Sequence, residues 1–196
     1  MGGRKQKFKQ LCGGFYILGE GITEQYYFTH LKAIYGCACT IRPRFFCNTC
    51  IDDIGGRIAE LLRSDIHIIC VFDADVSKRD AKENEKLSRL RLKYKNKSNV
   101  IFAESLPSIE YWFLLHFVDT GRHFNNSKEV QRELRKYLAG YEKTKNYLIK
   151  EKWVRDLSEN LGDLSSAMIR AKKYNATSPS HSNIYLAIET IMDSAN

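Results

Sequence analysis

Three short apolar runs, each closing on carboxylates, set the pattern of the chain. Phe15-Tyr16-Ile17-Leu18 runs into Gly19-Glu20-Gly21-Ile22-Thr23-Glu24, and Ile66 to Phe72 runs into Asp73-Ala74-Asp75. Asn99 to Ala103 runs into Glu104-Ser105-Leu106-Pro107-Ser108-Ile109-Glu110. Continuous apolar runs bounded by turn formers predict buried strands. Between them the period changes to that of a helix. Ile22, Tyr26, Tyr27, Leu31 and Ile34 mark one helix with Gly36 as its stop, and Ile54, Ile58, Leu61 and Leu62 mark a second after Asp52-Asp53. A strand near 40–46 carries Pro43, which favours a sheet edge. The run 66–72 is the most apolar and predicts the central strand. Residues 78–95 predict a highly charged helix with only Leu87, Leu90, Leu92 and Tyr94 to pack, and 107–118 a very apolar one with Pro107 in its first turn.

This alternation of strand and helix predicts an α/β fold, a mostly parallel four-stranded sheet flanked by helices. After Gly121 the pattern is helical throughout. Val130, Leu134 and Leu138 define one helix, Leu157, Leu161, Leu164 and Met168 one or two more, and Ile184, Ala187, Ile188 and Ile191 the last. Residues 1–119 therefore read as the α/β core and 120–196 as a helical extension packed on it, the two forming one integrated domain.

Composition narrows the classes. The 196 residues are 43% hydrophobic with three prolines, which excludes a disordered chain. No apolar run approaches the roughly 20 residues that span a bilayer. The basic start (Arg4, Lys5, Lys7, Lys9) lacks the apolar segment of a signal peptide, so a cytoplasmic protein is expected. The 31 basic against 23 acidic residues leave a net charge of +8, concentrated in 4–9, 86–97, 128–152 and 170–173. Such an excess suits a polyanionic partner, nucleic acid first, although solvated lysine-rich helix faces give the same count. Cys37-x-Cys39 and Cys47-x-x-Cys50 look like paired zinc ligands, but an extended 40–46 would hold the pairs roughly 26 Å apart at ~3.3 Å per residue. Cys12 and Cys70 read as buried apolar residues.

The carboxylates carry the chemistry. In an open α/β sheet the ligand crevice lies at the carboxyl ends of the strands, and acids gathered there repel one another unless a hard cation joins them. Asp73 and Asp75, two apart in an extended segment, point to one side and suit a shared metal; the alternative is helix capping by Asp75. Glu20 lies between two glycines that admit a close approach, whereas Glu24 falls on a first helical turn where a capping box is the competing role. Glu110 and Glu104 stand equal on position alone. His116 on an apolar helix reads as a core histidine, and His181 as a cap before the last helix. Lys143 and Lys145 are candidate phosphate contacts or transition-state cations, joined as nucleic-acid contacts by Arg170 and Lys172.

Taken together these motifs resemble a known family. Gly19-Glu20-Gly21-Ile22-Thr23-Glu24 with Tyr27-Phe28 resembles the E-G-x-T-E-x-x-Y-F opening of RloB-like proteins, and Phe72-Asp73-Ala74-Asp75 its D-x-D. The segment from Ser105 to Phe117 is similar to the family's S-N-P-x-F-E-x-W-x-L-L-H-F, with Leu106 for the asparagine and Ile109 for the aromatic. Gly140 to Thr144, Ala167-x-x-x-Ala171 and 181–192 fit its C-terminal half. RloB-like proteins in turn resemble Toprim domains, which place a glutamate after the first strand and a D-x-D after the third. That likeness implies a Toprim-like fold with Glu20, Asp73 and Asp75 at its site, in a prokaryotic phage-defence or restriction-linked setting with abortive infection as the suspected role. The expectation is a Mg²⁺- or Mn²⁺-dependent nuclease-type phosphodiesterase. Asp73 and Asp75 would hold the metal, Glu20 would be third ligand or general base, Glu24 and Glu110 would complete the shell, and Lys143 would act beside them. Two rivals stand beside it: a phosphatase using Asp73 as nucleophile, and a non-catalytic module binding a nucleotide, nucleic acid or partner protein of a defence system. DNA against RNA, and monomer against homodimer, stay open.

Overall fold

The computed structural model describes residues 15–19, 21–36, 44–45, 51–64, 66–74, 81–174 and 178–193. Five strands form one mixed sheet in the order β2-β1-β3-β4-β5, with β1 Phe15–Gly19, β2 Arg44–Phe45, β3 His67–Asp73, β4 Val100–Leu106 and β5 His181–Ser182. The first four run parallel and β5 pairs antiparallel with β4. The most apolar strand is central and β2, from the predicted 40–46 strand, lies at an edge, as the sequence predicts; Pro43 itself lies outside the described residues. The fifth strand is the departure. It is two residues long and too short to leave a period of its own.

Every residue of β1 is buried, because helices cover both faces of the sheet. Successive side chains still alternate between two cores. Phe15, Ile17, Ile69, Val71 and Ala103 face one core. It is shared with α1 (Ile22–Tyr35), α4 (Ile109–Leu115), α5 (Ser127–Leu134), α8 (Leu164–Lys173) and α9 (Ile184–Asp193). Tyr16, Leu18, Ile68, Cys70, Phe72 and Val100 face the other, closed by α2 (Ile51–Leu61) and α3 (Ala81–Tyr94). The residues after 119 thus build most of one face and supply its edge strand. Cys70 is a buried member of the second core, as expected, and burial pushes its thiol up.

Local rules account for the helix ends. Gly36 stops α1 in the left-handed conformation, with φ 60°. In α3 only Leu87, Leu90 and Tyr94 are buried, and Leu92 is 73% exposed. It stands two positions from Leu90 and so on a different side of the helix. Pro107 precedes α4 instead of opening it: the Leu106–Pro107 bond is cis, Ser108 is the extended N-cap, and the helix starts at Ile109. The short helices α6 (Lys145–Leu148) and α7 (Lys152–Arg155) and the π-turn Asp156–Asn160 bring Tyr147, Trp153 and Leu157 onto α1 and α4. Trp153 packs its ring 5.3 Å from Phe113 and 6.2 Å from Tyr141. Trp112 Nε1 donates to the Tyr27 hydroxyl at 2.8 Å, so the two largest buried side chains satisfy each other.

His116 ends α4 as the core histidine expected. Its ring is 2% exposed, Nδ1 donates to Leu157 O at 2.9 Å, and Nε2 meets no hydrogen-bond partner among the described residues. Burial holds its pKa down at about 4, with smaller contributions from the Leu157 bond and Asp163, which raise it. The unfolded chain therefore binds a proton near pH 6.5 that the native state refuses until about 4, and stability must fall with pH in that window. In His116→Gln, whose amide can still donate to Leu157 O, the acid-side decline between pH 6.5 and 4 should shrink by about 3 kcal/mol, measured by urea unfolding across pH.

Candidate active site

The carboxyl edge of the sheet is where the predicted acids meet. β1 ends at Gly19 and the chain enters α1 through Gly21, whose N–H donates to Glu24 Oε2 at 2.9 Å. This is half of a capping box, and it folds a 4%-exposed carboxylate back over the strand-to-helix turn. The glycines make the room. A Cβ on Gly19 would lie 3.1 Å from Glu24 Cβ, and one on Gly21 would lie 3.0 Å from Glu24 Oε2. The close approach expected of a phosphate or metal at these glycines is made by Glu24 itself.

β3 ends at Asp73, and its Oδ1 accepts from Ile109 N at 2.8 Å. The sequence offers Asp75 as a cap for its own helix; among the described residues it is Asp73 that caps, and the helix is α4. Ala74 N donates to Ser105 O at 2.8 Å, so the ends of β3 and β4 are tied together just below. Together Gly21, Ile22, Thr23, Glu24, Asp73 and Lys143 line a cleft of about 260 Å³.

Glu110, one residue into α4, is fully buried and held from several sides. Ser108 Oγ donates to Oε2 at 2.6 Å, and the Tyr141 hydroxyl to Oε1 at 3.1 Å. Lys143 Nζ lies 3.0 Å from Oε1. Burial, then the Glu110 carboxylate, pushes the Tyr141 hydroxyl well above the usual phenol range, so it stays a donor. For Lys143 burial acts downward, but Glu110, then Asp73 and Glu24, outweigh it and the net shift is upward. One ammonium thus serves three carboxylates. Ser108 and Tyr141 join this cluster without having been expected there. The Ser108-x-Glu110 spacing is a signal that was available, whereas nothing local links Tyr141 to Glu110.

The other candidates fall elsewhere. Glu104 is directed to the opposite face by strand alternation, where Arg91 Nε donates to Oε1 at 2.7 Å and Nη2 to Oε2. Positional equality with Glu110 therefore ends in the fold. Arg170 Nη1 donates to Leu115 O at 2.7 Å at the far end of α4, and Lys172 Nζ pairs with Glu189 at 2.5 Å. Lys145 is exposed on α6. His181 Nδ1 donates to Ser178 O at 3.2 Å. Glu20 and Asp75 lie outside the described residues, as do Cys12 and the four cysteines weighed as zinc ligands. Among the described residues no three His, Cys, Asp or Glu side chains form a metal-binding group, and no helix is long and apolar enough to cross a membrane.

The family model for RloB-like proteins matches residues 15–191, which takes in every element of this cleft. The chain belongs to the RloB-like family. No curated protein and no solved structure matches it. In this RloB-like chain the motif residues Glu24, Asp73, Glu110 and Lys143 are what the sheet edge gathers, across 119 positions of sequence.

Raising the pKa of Lys143 contributes stability that is complete below its ordinary value of 10.5 and is lost as pH rises through the elevated native value. Lys143→Met removes the ammonium and leaves Glu110 with neutral donors only. The variant should lose about 1–3 kcal/mol at pH 7, read by denaturant unfolding of both proteins.

Proposed function

We propose that this RloB-like protein is a divalent-metal-dependent phosphodiesterase acting on nucleic acid, with a Toprim-like use of the carboxyl edge and a role in prokaryotic defence. The observation that carries the reading is the meeting of Asp73, Glu24 and Lys143 around one cleft at the sheet edge. Carboxylate oxygens are the donors that Mg²⁺ and Mn²⁺ prefer. Asp73 and Glu24 are each oriented by a backbone N–H, as metal-ligating carboxylates commonly are. The donor set thus fits the ion. Its holders would be Asp73 and Glu24 with Glu20 and Asp75, which adjoin Gly19, Gly21 and Ala74 in the sequence. A bound divalent ion supplies Lewis-acid polarisation of a phosphoryl oxygen and a water acidic enough to attack it.

This chain's own residues do the rest. Glu110, locked by Ser108 and Tyr141, holds the Lys143 ammonium at the cleft, where it meets a non-bridging phosphoryl oxygen and offsets charge gathering there. Glu110 is a positioning residue in this scheme, since its carboxylate is wholly buried. Lys145, exposed on the helical turn after Lys143, would meet a neighbouring phosphate.

Wild-type protein should cleave DNA or RNA oligonucleotides with Mg²⁺ or Mn²⁺ and not with chelator. Asp73→Asn, which still offers an oxygen to Ile109 N–H, should keep its unfolding midpoint and lose about 10²-fold or more in rate. Wild-type protein inert on every nucleic acid tried, with each metal, would leave a non-catalytic binding module in its place.

A further inference from the structure

We propose that the groove between α2 and α3, on the opposite face from Lys143's supporting helices, holds the sugar-phosphate backbone of a nucleic acid. The proposal rests on the phosphodiesterase reading for its choice of polyanion, but it concerns a separate surface. The groove measures about 460 Å³, larger than the cleft, and its charge is one-sided. Lys86, Arg89 and Lys93 line it from α3 at a spacing of three and four residues, roughly one cation per 5.4 Å turn along a single face. Asp52 is the one acid among its lining residues.

The opposite wall is low because it is glycine. Gly55 and Gly56 stand in succession within α2, where glycine is a poor helix former. A Cβ on Gly55 would lie 3.1 Å from Leu90 Cδ1, so its absence lets the two helices approach. A Cβ on Gly56 would meet no atom within 4 Å, so its absence leaves open floor. Among the described residues no aromatic ring lines the groove, which suits recognition of backbone and not of bases.

Its cations have partners that a phosphate can displace. Lys86 pairs with Asp52 at 2.7 Å and Arg89 with Glu85 at 2.5 Å, all four side chains being substantially exposed. Exposed pairs of this kind contribute little and yield to salt and to stronger anions. The Asp52–Lys86 and Gly55–Leu90 contacts also show that α2 and α3 run side by side in the same direction. Each helix follows a parallel strand, β2 and β3, so the N-terminal ends of both helices lie toward the carboxyl edge that carries the cleft.

The test is fluorescence anisotropy of a labelled single-stranded oligonucleotide titrated with full-length protein at several salt concentrations. A parallel assay follows hydrolysis of bis(p-nitrophenyl) phosphate with Mn²⁺, a substrate too small to use the groove. The triple variant Lys86→Ala, Arg89→Ala, Lys93→Ala should bind about tenfold or more weakly at low salt, with the salt slope reduced by about one per cation removed. Gly56→Glu, which adds a carboxylate to open floor in a helix that tolerates it, should weaken binding as well while keeping its circular dichroism. A control triple, Lys128→Ala, Lys136→Ala, Lys150→Ala, removes the same charge and should change binding little. The proposal is overturned if the groove variants bind like wild type, if the control loses as much, or if wild type binds no oligonucleotide. Groove-dependent binding by a protein that hydrolyses no phosphodiester would uphold the groove and sink the cleft reading.

Discussion

A carboxylate with no exposure to water, Glu110, is the constraint around which this molecule is arranged. An ionised acid is tolerated in an apolar core only with near-complete compensation, because the cost of burying it unpaired is several kcal/mol. Ser108, from the same helix start, gives one hydrogen bond, and Tyr141 and Lys143, from the far half of the chain, give the rest of what is needed. The 141–143 segment is therefore drawn to the sheet edge by electrostatics and fixed there by packing, with Tyr141 and Trp153 edge-on against Phe113 and each other and Tyr147 edge-on against Tyr141. Remove the acid and nothing in that aromatic cluster specifies where the ammonium should point.

Asp73 makes the second tie. Its bond to Ile109 N–H joins the end of the central strand to the start of the most buried helix. One residue thus caps a helix and lines the cleft, so its own place in the site is set by the core. Glu24 repeats the design on α1, where the two flanking glycines let its carboxylate fold against the backbone. Each cleft acid is oriented by an N–H that belongs to secondary structure, which is the rigidity a charged site requires.

Much of this was legible in the residues. The buried strands β1, β3 and β4 announced themselves as apolar runs, and the parallel order followed from the helical periods between them. The acids at the strand ends were legible too, because alternation and the crevice rule place them without knowledge of packing. Pairings across distance were not. Glu104 and Glu110 are both acids near the end of β4, and only the position of Arg91 against the one and Lys143 against the other separates them. Arg170 and Lys172 look like any basic helix face until Leu115 O and Glu189 are seen beside them. Leu92 satisfied the composition of a packed helix but not its angular spacing. The short β5 had no local pattern to find, since two residues owe their strand character wholly to β4.

That small strand has an outsized bearing on how the protein comes into being. Ser105 and Leu106 of β4 find their neighbours in Ser182 and His181, and the Ser105 and Ser182 hydroxyls bond at 2.8 Å in the interior. During synthesis, β4 emerges with its outer rim bare, and the segment that seals it is translated more than seventy residues later. A nascent chain stalled anywhere in that interval carries an open β edge, the feature through which half-made polypeptides stick to one another. The sheet can close only after the ribosome has delivered nearly all of the described fold.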